Sequence, residues 1–127
     1  MSYPSVQMHI NGKWRPAATG RTLHVINPAT EEPIGSVPHA DRSDLDAALE
    51  AAEKGYRTWR NVSDYDRSKV MRKAADLIRE RADRIATIMT QEQGKILAEA
   101  RMETMAAADI IDASAAVNDV RIETVSS

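Results

Sequence analysis

The chain contains no cysteine and no phenylalanine. The first absence excludes disulfides, thiolate metal sites and a cysteine nucleophile carried on these residues. The second leaves two Trp and three Tyr as the only aromatic rings, so a core must be built mostly from Ala, Leu, Ile, Val and Met. Such a core is thin, although 127 residues suit one small domain that buries roughly two-thirds of the surface its unfolded chain exposes. Long apolar runs are also missing: the longest is about the size of "AAADII" and is broken by Asp109. The opening "MSYPSVQMHING" has neither the charged nor the apolar region of a signal peptide, so a soluble cytoplasmic protein without a membrane partner is expected. Nor is there an excess of one charge. The net charge of −2, with acids and bases interspersed, gives no electrostatic footprint for nucleic acid.

Glycine is sparse as well. The five glycines stand at least eight residues apart, so no G-x-G-x-x-G dinucleotide fingerprint exists. The Gly94-Lys95 pair has the ending of a phosphate-binding P-loop, but Met89 stands where that motif needs its first Gly and Ile96 where it needs Ser or Thr. Gly94 reads instead as the residue that closes a helix in a left-handed conformation.

What is present is a change of period. Residues 7–39 read as short strands and turns: "MHINGKWR" centres on Asn11-Gly12, a two-residue hairpin signal, and Thr22 to Ile26 is β-branched and apolar. Asn27-Pro28 marks a turn before a further strand at residues 34–37. From Ser43, a candidate N-cap with Asp46 three residues on, the period becomes helical. Three helices are predicted at about 43–60, 64–93 and 96–117. The first carries its apolar stripe on Leu45, Ala48, Leu49, Ala52, Tyr56 and Trp59. The second starts from a cap at Ser63 with Asp66 and carries Val70, Leu77, Ile78 and Ile85, with a bend at residues 81–83. The third has Leu97, Ala100, Ala108, Ile111 and Ala115 on one side and Met102, Ala106, Ile110, Ala113 and Val117 on the other. A helix apolar nearly all round is expected to be covered on more than one side. The tail "NDVRIETVSS" has no clear period and reads as coil or a frayed strand. The expected fold class is α+β, mostly α: a strand arm over residues 1–39 and a helical segment over 40–127.

Candidate chemistry is thin. His9, His24 and His39 lie fifteen residues apart without acidic or thiol partners at metal-ligand spacing, which is the pattern of scattered histidines. Charge pairs such as Asp76 with Arg79 and Glu80 with Arg84 describe a solvated helix face. Glu99, Glu103 and Asp109 are the carboxylates from which a functional acid would come.

The order of the fragments carries more. "INGKW", "NPATEEPIGSVPHA", "LDAALEAAEKGYRTWR", "RSKVMRKAADLIRERADRIATIMTQEQGKILAEAR" and "AADII" resemble, in unbroken sequence over residues 10–111, the N-terminal quarter of the NAD(P)-dependent aldehyde dehydrogenase family. "EQGKILAEAR" is most similar to the succinate-semialdehyde dehydrogenase branch. The resemblance implies a fragment of the α/β cofactor domain, with Gly94-Lys95 linking two helices that flank it. It also implies a reaction in which a cysteine thiolate attacks an aldehyde, hydride passes to NAD(P)+, and water activated by a Glu hydrolyses the thioester near an oxyanion-stabilising Asn. Those groups lie downstream of the matched stretch, so no catalytic, cofactor-binding or metal residue is assigned here, and the chain alone is expected to bind no cofactor. Some family members hold a monovalent cation through positions that correspond to the Ile26 carbonyl and the Glu103 carboxylate. Two departures stand out: Thr30-Glu31-Glu32 replaces the family's Thr-Gly-Glu, placing Glu31 where φ > 0 is favoured, and after Ile111 the family's aromatic residues do not follow. Two readings result. One is an N-terminal scaffold segment of an aldehyde dehydrogenase; the other is a stand-alone helical module that associates with itself or with a partner. Either way a homo-oligomer is expected, with helices 64–93 and 96–117 packing against their copies.

Overall fold

The structure, a computed structural model, describes residues 3–125, with the side chains of residues 3–116. It comprises β1 (Met8–Ile10), β2 (Lys13–Arg15), β3 (Thr22–Ile26), β4 (Pro33–Pro38), α1 (Arg42–Trp59), α2 (Asp64–Glu80), α3 (Ala82–Gln93) and α4 (Leu97–Val125). The mostly helical α+β class expected from the sequence is what forms. The compact units divide at Met1–Asn61 and Val62–Ser127, so α1 is grouped with the strands, whereas the change of period had set the division at residue 39.

In the first unit, β1 and β2 pair antiparallel with His9 opposite Trp14. Asn11 at φ 53° and Gly12 at φ 74° supply the two left-handed residues of the tight turn, as their sequence predicts. β3 and β4 form a second antiparallel pair, with a register shift between Val25 and Ile26. The connecting turn is held by Asn27, whose carbonyl accepts from Glu31 N at 2.7 Å and whose Oδ1 accepts from Ala29 N at 3.0 Å. Glu31 has φ 60°, so the residue that stands where the family has Gly does adopt the left-handed conformation.

The start of α1 differs from expectation. Its N-cap is Asp41, not Ser43: the Asp41 carboxylate accepts from Asp44 N at 3.1 Å, and Asp44 accepts from Asp41 N at 3.2 Å, a reciprocal capping box. Two acids three residues apart satisfy two orphan donors, and Ser43 instead donates its hydroxyl to Asp41 at 2.7 Å.

The second unit is a helical assembly in which α4 packs on α2 and α3. α2 starts at Ser63, whose hydroxyl accepts from Asp66 N at 3.1 Å, as predicted. The single helix expected over 64–93 is interrupted at Arg81, φ −102° and ψ 9°, within the predicted bend, giving α2 and α3. α3 ends at Gly94 in the left-handed conformation, φ 73°, with Gly94 N donating to Thr90 O at 2.9 Å. α4 runs on to Val125, well past residue 117, and the tail read as coil or strand is helical that far. Neither Gly nor Pro occurs between Leu97 and Val125 to stop it. The expected place of Val117 on α4 falls outside the described side chains.

The core is narrower than the Leu, Ile, Val and Met composition suggests. Among the described residues the buried apolar side chains are all alanines: Ala17, Ala75, Ala82, Ala86, Ala100, Ala108 and Ala115. Ala75, Ala82 and Ala86 from α2 and α3, with Ala100, Ala108 and Ala115 from α4, make a small-residue seam that lets helices approach closely. Ser68 donates to Ala115 O across it at 3.3 Å. α4 is thus covered on one side, not on both: Met102 is 68% and Ile110 67% exposed. The large residues of the α1 stripe are exposed as well.

Candidate functional site

Among the described residues the buried carboxylate is Asp44, 1% exposed, on the first turn of α1. It accepts from Arg15 Nη2 at 2.6 Å, from Ala18 N at 3.1 and 3.2 Å to its two oxygens, and from Asp41 N. One side chain thereby ties strand β2, the Ala17-Ala18 turn and the start of α1 together. Three donors belonging to the fold share its two oxygens, which makes Asp44 a structural clasp. Beside it, the hairpin and α1 border an open cleft of about 390 Å³ lined by Lys13, Trp14, Glu50 and Lys54 among others. His9 stacks on Trp14 with ring centroids 4.6 Å apart.

The sequence candidates are not brought together. His9 and His24 are exposed and His39 is half-buried, each on a different strand or turn. The Glu103 carboxylate is held by Lys95, the residue after the α3 cap. Asp109 accepts from Arg79 Nη2 at 2.8 Å, and Asp112 lies 2.6 Å from the same guanidinium, which raises the Arg79 pKa. Asp83 accepts from Arg101 Nε at 2.7 Å, so the α3–α4 connection is bracketed by ion pairs on both sides. Glu99 is exposed. Ile26 belongs to one compact unit and Glu103 to the other, and no group of three or more metal-capable side chains occurs among the described residues. No helix among the described residues is long and apolar enough to cross a membrane.

Asp44 is the residue that sequence reasoning missed. The signal was present in the Asp41-Arg-Ser-Asp44 spacing, which fits a capping box.

The fold itself is the informative feature, and it is shared. Residues 14–126 match the model of the aldehyde dehydrogenase family. Glutarate-semialdehyde dehydrogenase of Pseudomonas putida is 43% identical over 106 residues, which are 84% of this chain and 22% of that protein. D-glyceraldehyde dehydrogenase (NADP(+)) of Picrophilus torridus is 35% identical over 99 residues, 78% of this chain and 20% of that one. The backbone superposes on the crystal structure of an NAD-dependent aldehyde dehydrogenase from Sinorhizobium meliloti with a TM-score of 0.86 at 35% identity, covering 89% of this chain and 23% of the other. The chain spans about a fifth of the length of the curated relatives it matches. By sequence and by backbone, it belongs to the aldehyde dehydrogenase family.

Proposed function

We propose that these residues are the N-terminal scaffold of an NAD(P)+-dependent aldehyde dehydrogenase that acts in the cytoplasm on a semialdehyde of a short dicarboxylic acid, the succinate and glutarate compounds being the class, and converts it to the acid. The observation that carries the reading is the continuous family match from residue 14 to residue 126, on a backbone that keeps the family shape. The similarity to glutarate-semialdehyde dehydrogenase and the "EQGKILAEAR" stretch support the substrate class. The contribution of this segment is positional: the Asp44 clasp fixes the hairpin on α1, and the alanine seam fixes α4 on α2 and α3. The thiolate, the cofactor platform and the water-activating Glu belong to the remainder of such an enzyme. A stand-alone helical module is disfavoured by the length over which the family match runs.

The test is complementation. The Pseudomonas putida relative, shortened by its matching N-terminal segment, is co-expressed with this chain. Recovery of glutarate-semialdehyde-dependent NAD(P)H formation that requires this chain is the expected result. A soluble shortened enzyme that binds this chain without gaining any activity would overturn the scaffold role.

A further inference from the structure

The chain has asparagine at positions 11, 27, 61 and 118, and the residue that follows each decides its chemistry. An asparagine side chain is lost when the amide nitrogen of the next residue attacks its carbonyl carbon, which is what makes this residue type labile. Asn27 precedes Pro28, which has no N–H to give up. Asn61 precedes Val62, whose branched side chain crowds the attacking nitrogen, and Asn118 precedes Asp119. Asn11 alone precedes a glycine, and a Cβ built at Gly12 would meet nothing within 4 Å. Neither a side chain of Gly12 nor a neighbouring atom obstructs the attack there.

We propose that Asn11-Gly12 is a self-modifying site and that the folded hairpin turn is its brake. The Gly12 nitrogen bonds to the Asn11 side-chain carbonyl carbon, the bond from that carbon to the side-chain nitrogen breaks, and ammonia leaves with the Gly12 proton. A cyclic imide remains. Water opens it at either carbonyl, giving aspartate or isoaspartate at residue 11. The turn opposes ring closure, because Asn11 at φ 53° and Gly12 at φ 74° form a two-residue turn in which both residues are left-handed. In that conformation ψ is about +47°, which sets the Gly12 nitrogen nearly anti to the Asn11 Cβ, whereas the ring needs the two nearly eclipsed. Rotation of ψ by roughly half a turn is required, and the pairing of Ile10 with Lys13 across the turn prevents it while the hairpin is closed. The reaction therefore runs from the opened hairpin, at a rate that follows the open population.

The two products differ in consequence. Aspartate leaves the backbone as it was, and Asp-Gly suits the same turn as Asn-Gly. Isoaspartate routes the chain through the side-chain methylene, which adds a backbone atom to a turn built for two residues. Only the pairs Met8 with Arg15, His9 with Trp14 and Ile10 with Lys13 hold the register against that change. Arg15 ends the strand, and its guanidinium is the strand's hold on Asp44 at 2.6 Å. Isoaspartate at residue 11 thus loosens the Asp44 clasp from the hairpin side, and the Ala18 amide, which donates to the same carboxylate, reports the loss.

The full chain, incubated warm at neutral pH either folded or in guanidinium chloride, tests this. Trypsin then releases residues 1–13 with the turn inside, mass spectrometry gives the converted fraction, and enzymatic carboxyl methylation specific for isoaspartate separates the two products. In denaturant Asn11 is expected to convert at least about 10-fold faster than Asn61, whose neighbour is β-branched. Folding should slow Asn11 by at least about 10-fold. Trp14→Ala removes the ring contact with His9 at 4.6 Å and should speed conversion in the folded chain by about 3-fold, with no change in denaturant. His9→Ala removes the same contact from the other strand should Trp14→Ala misfold, and circular dichroism verifies each variant. The isoaspartyl form, separated from the unconverted chain, should exchange the Ala18 amide at least about 3-fold faster than Asn11→Asp does. Asn11 converting no faster than Asn61 in denaturant overturns the site, and equal rates in the folded and unfolded chain overturn the brake. Ala18 exchange that is the same in the isoaspartyl form and in Asn11→Asp overturns the link to the clasp.

Discussion

Glu31 pays a conformational cost that its position makes visible. Its φ of 60° lies where a side chain crowds the backbone, and the hydrogen bonds of the turn, chiefly those of Asn27, hold it there. Glu31→Gly is therefore expected to stabilise the first unit by about 0.5–1 kcal/mol, measured as a higher urea midpoint with an unchanged m-value. The opposite holds at Asp44. Removing its carboxylate strands Arg15 and the amides of Ala18 and Asp41 in a site that is 1% exposed on the acid side, although the Arg15 side chain keeps 38% exposure and some access to water. Asp44→Ala should cost about 2–4 kcal/mol, with faster hydrogen exchange at the Ala18 and Asp41 amides as the local signature. The departure at Glu31 was legible in the sequence because a left-handed turn position has a known preference. At Asp44 only the capping box with Asp41 was legible; its ion pair was not, because its partner Arg15 lies 29 residues away and a one-dimensional pattern does not reveal which strand a helix start will meet.

At the scale of elements, caps and turns were read more securely than faces. The Asn11-Gly12 turn, the Ser63 cap and the Gly94 stop each depend on a local backbone requirement, and each forms where the residues predicted. Gly94→Val should therefore cost more than about 1 kcal/mol, because a β-branched residue at φ 73° is a genuine outlier; an unchanged melting temperature and circular dichroism would contradict the cap. The acidic cap of α1, Asp41, and the first-turn acid of α2, Asp66, also set a pH dependence. The Ser43 hydroxyl and then the Asp44 amide lower the Asp41 pKa, and the Ser63 hydroxyl followed by Lys69 lowers that of Asp66. A carboxyl depressed in the folded state contributes stability that is fully present above its unfolded pKa and is lost as pH falls through the folded value. The first turns of α1 and α2 should thus be pH-insensitive near neutrality and fray below roughly pH 4, and Asp41→Asn should flatten the response at α1 alone, read by amide exchange. What periodicity could not supply was the cover for each face. A stripe such as Leu45 to Trp59 shows which side of α1 is apolar, whereas burial depends on atoms elsewhere. The end of α4 escaped for a related reason, since a segment with neither period nor stop signal does not announce that a helix passes through it.

For the whole molecule, close packing of small side chains is what forms the family fold. The helices pack through alanines, so the architecture depends on close backbone approach, and substitutions that enlarge Ala86 or Ala108 would act on shape before they acted on any site. The described side chains place one acid in a fully satisfied clasp and the others in ion pairs or in solvent, and the sequence supplies no thiol at all. Aldehyde oxidation by a covalent route needs a nucleophile that forms and then releases an acyl group, and losing that nucleophile alone lowers turnover by on the order of 10⁴–10⁶ in comparable hydrolases. A missing platform for the hydride acceptor lowers it further, since the acceptor would then meet the aldehyde only by free collision. The purified chain is accordingly expected to form no NADH or NADPH above a buffer blank with succinate or glutarate semialdehyde, at any pH between about 6 and 9, where a family thiolate would be available. Turnover that co-elutes with the chain and persists after removal of host dehydrogenases would mean that a residue on this scaffold performs the chemistry, and Glu99, an exposed acid on α4, would be the first to substitute.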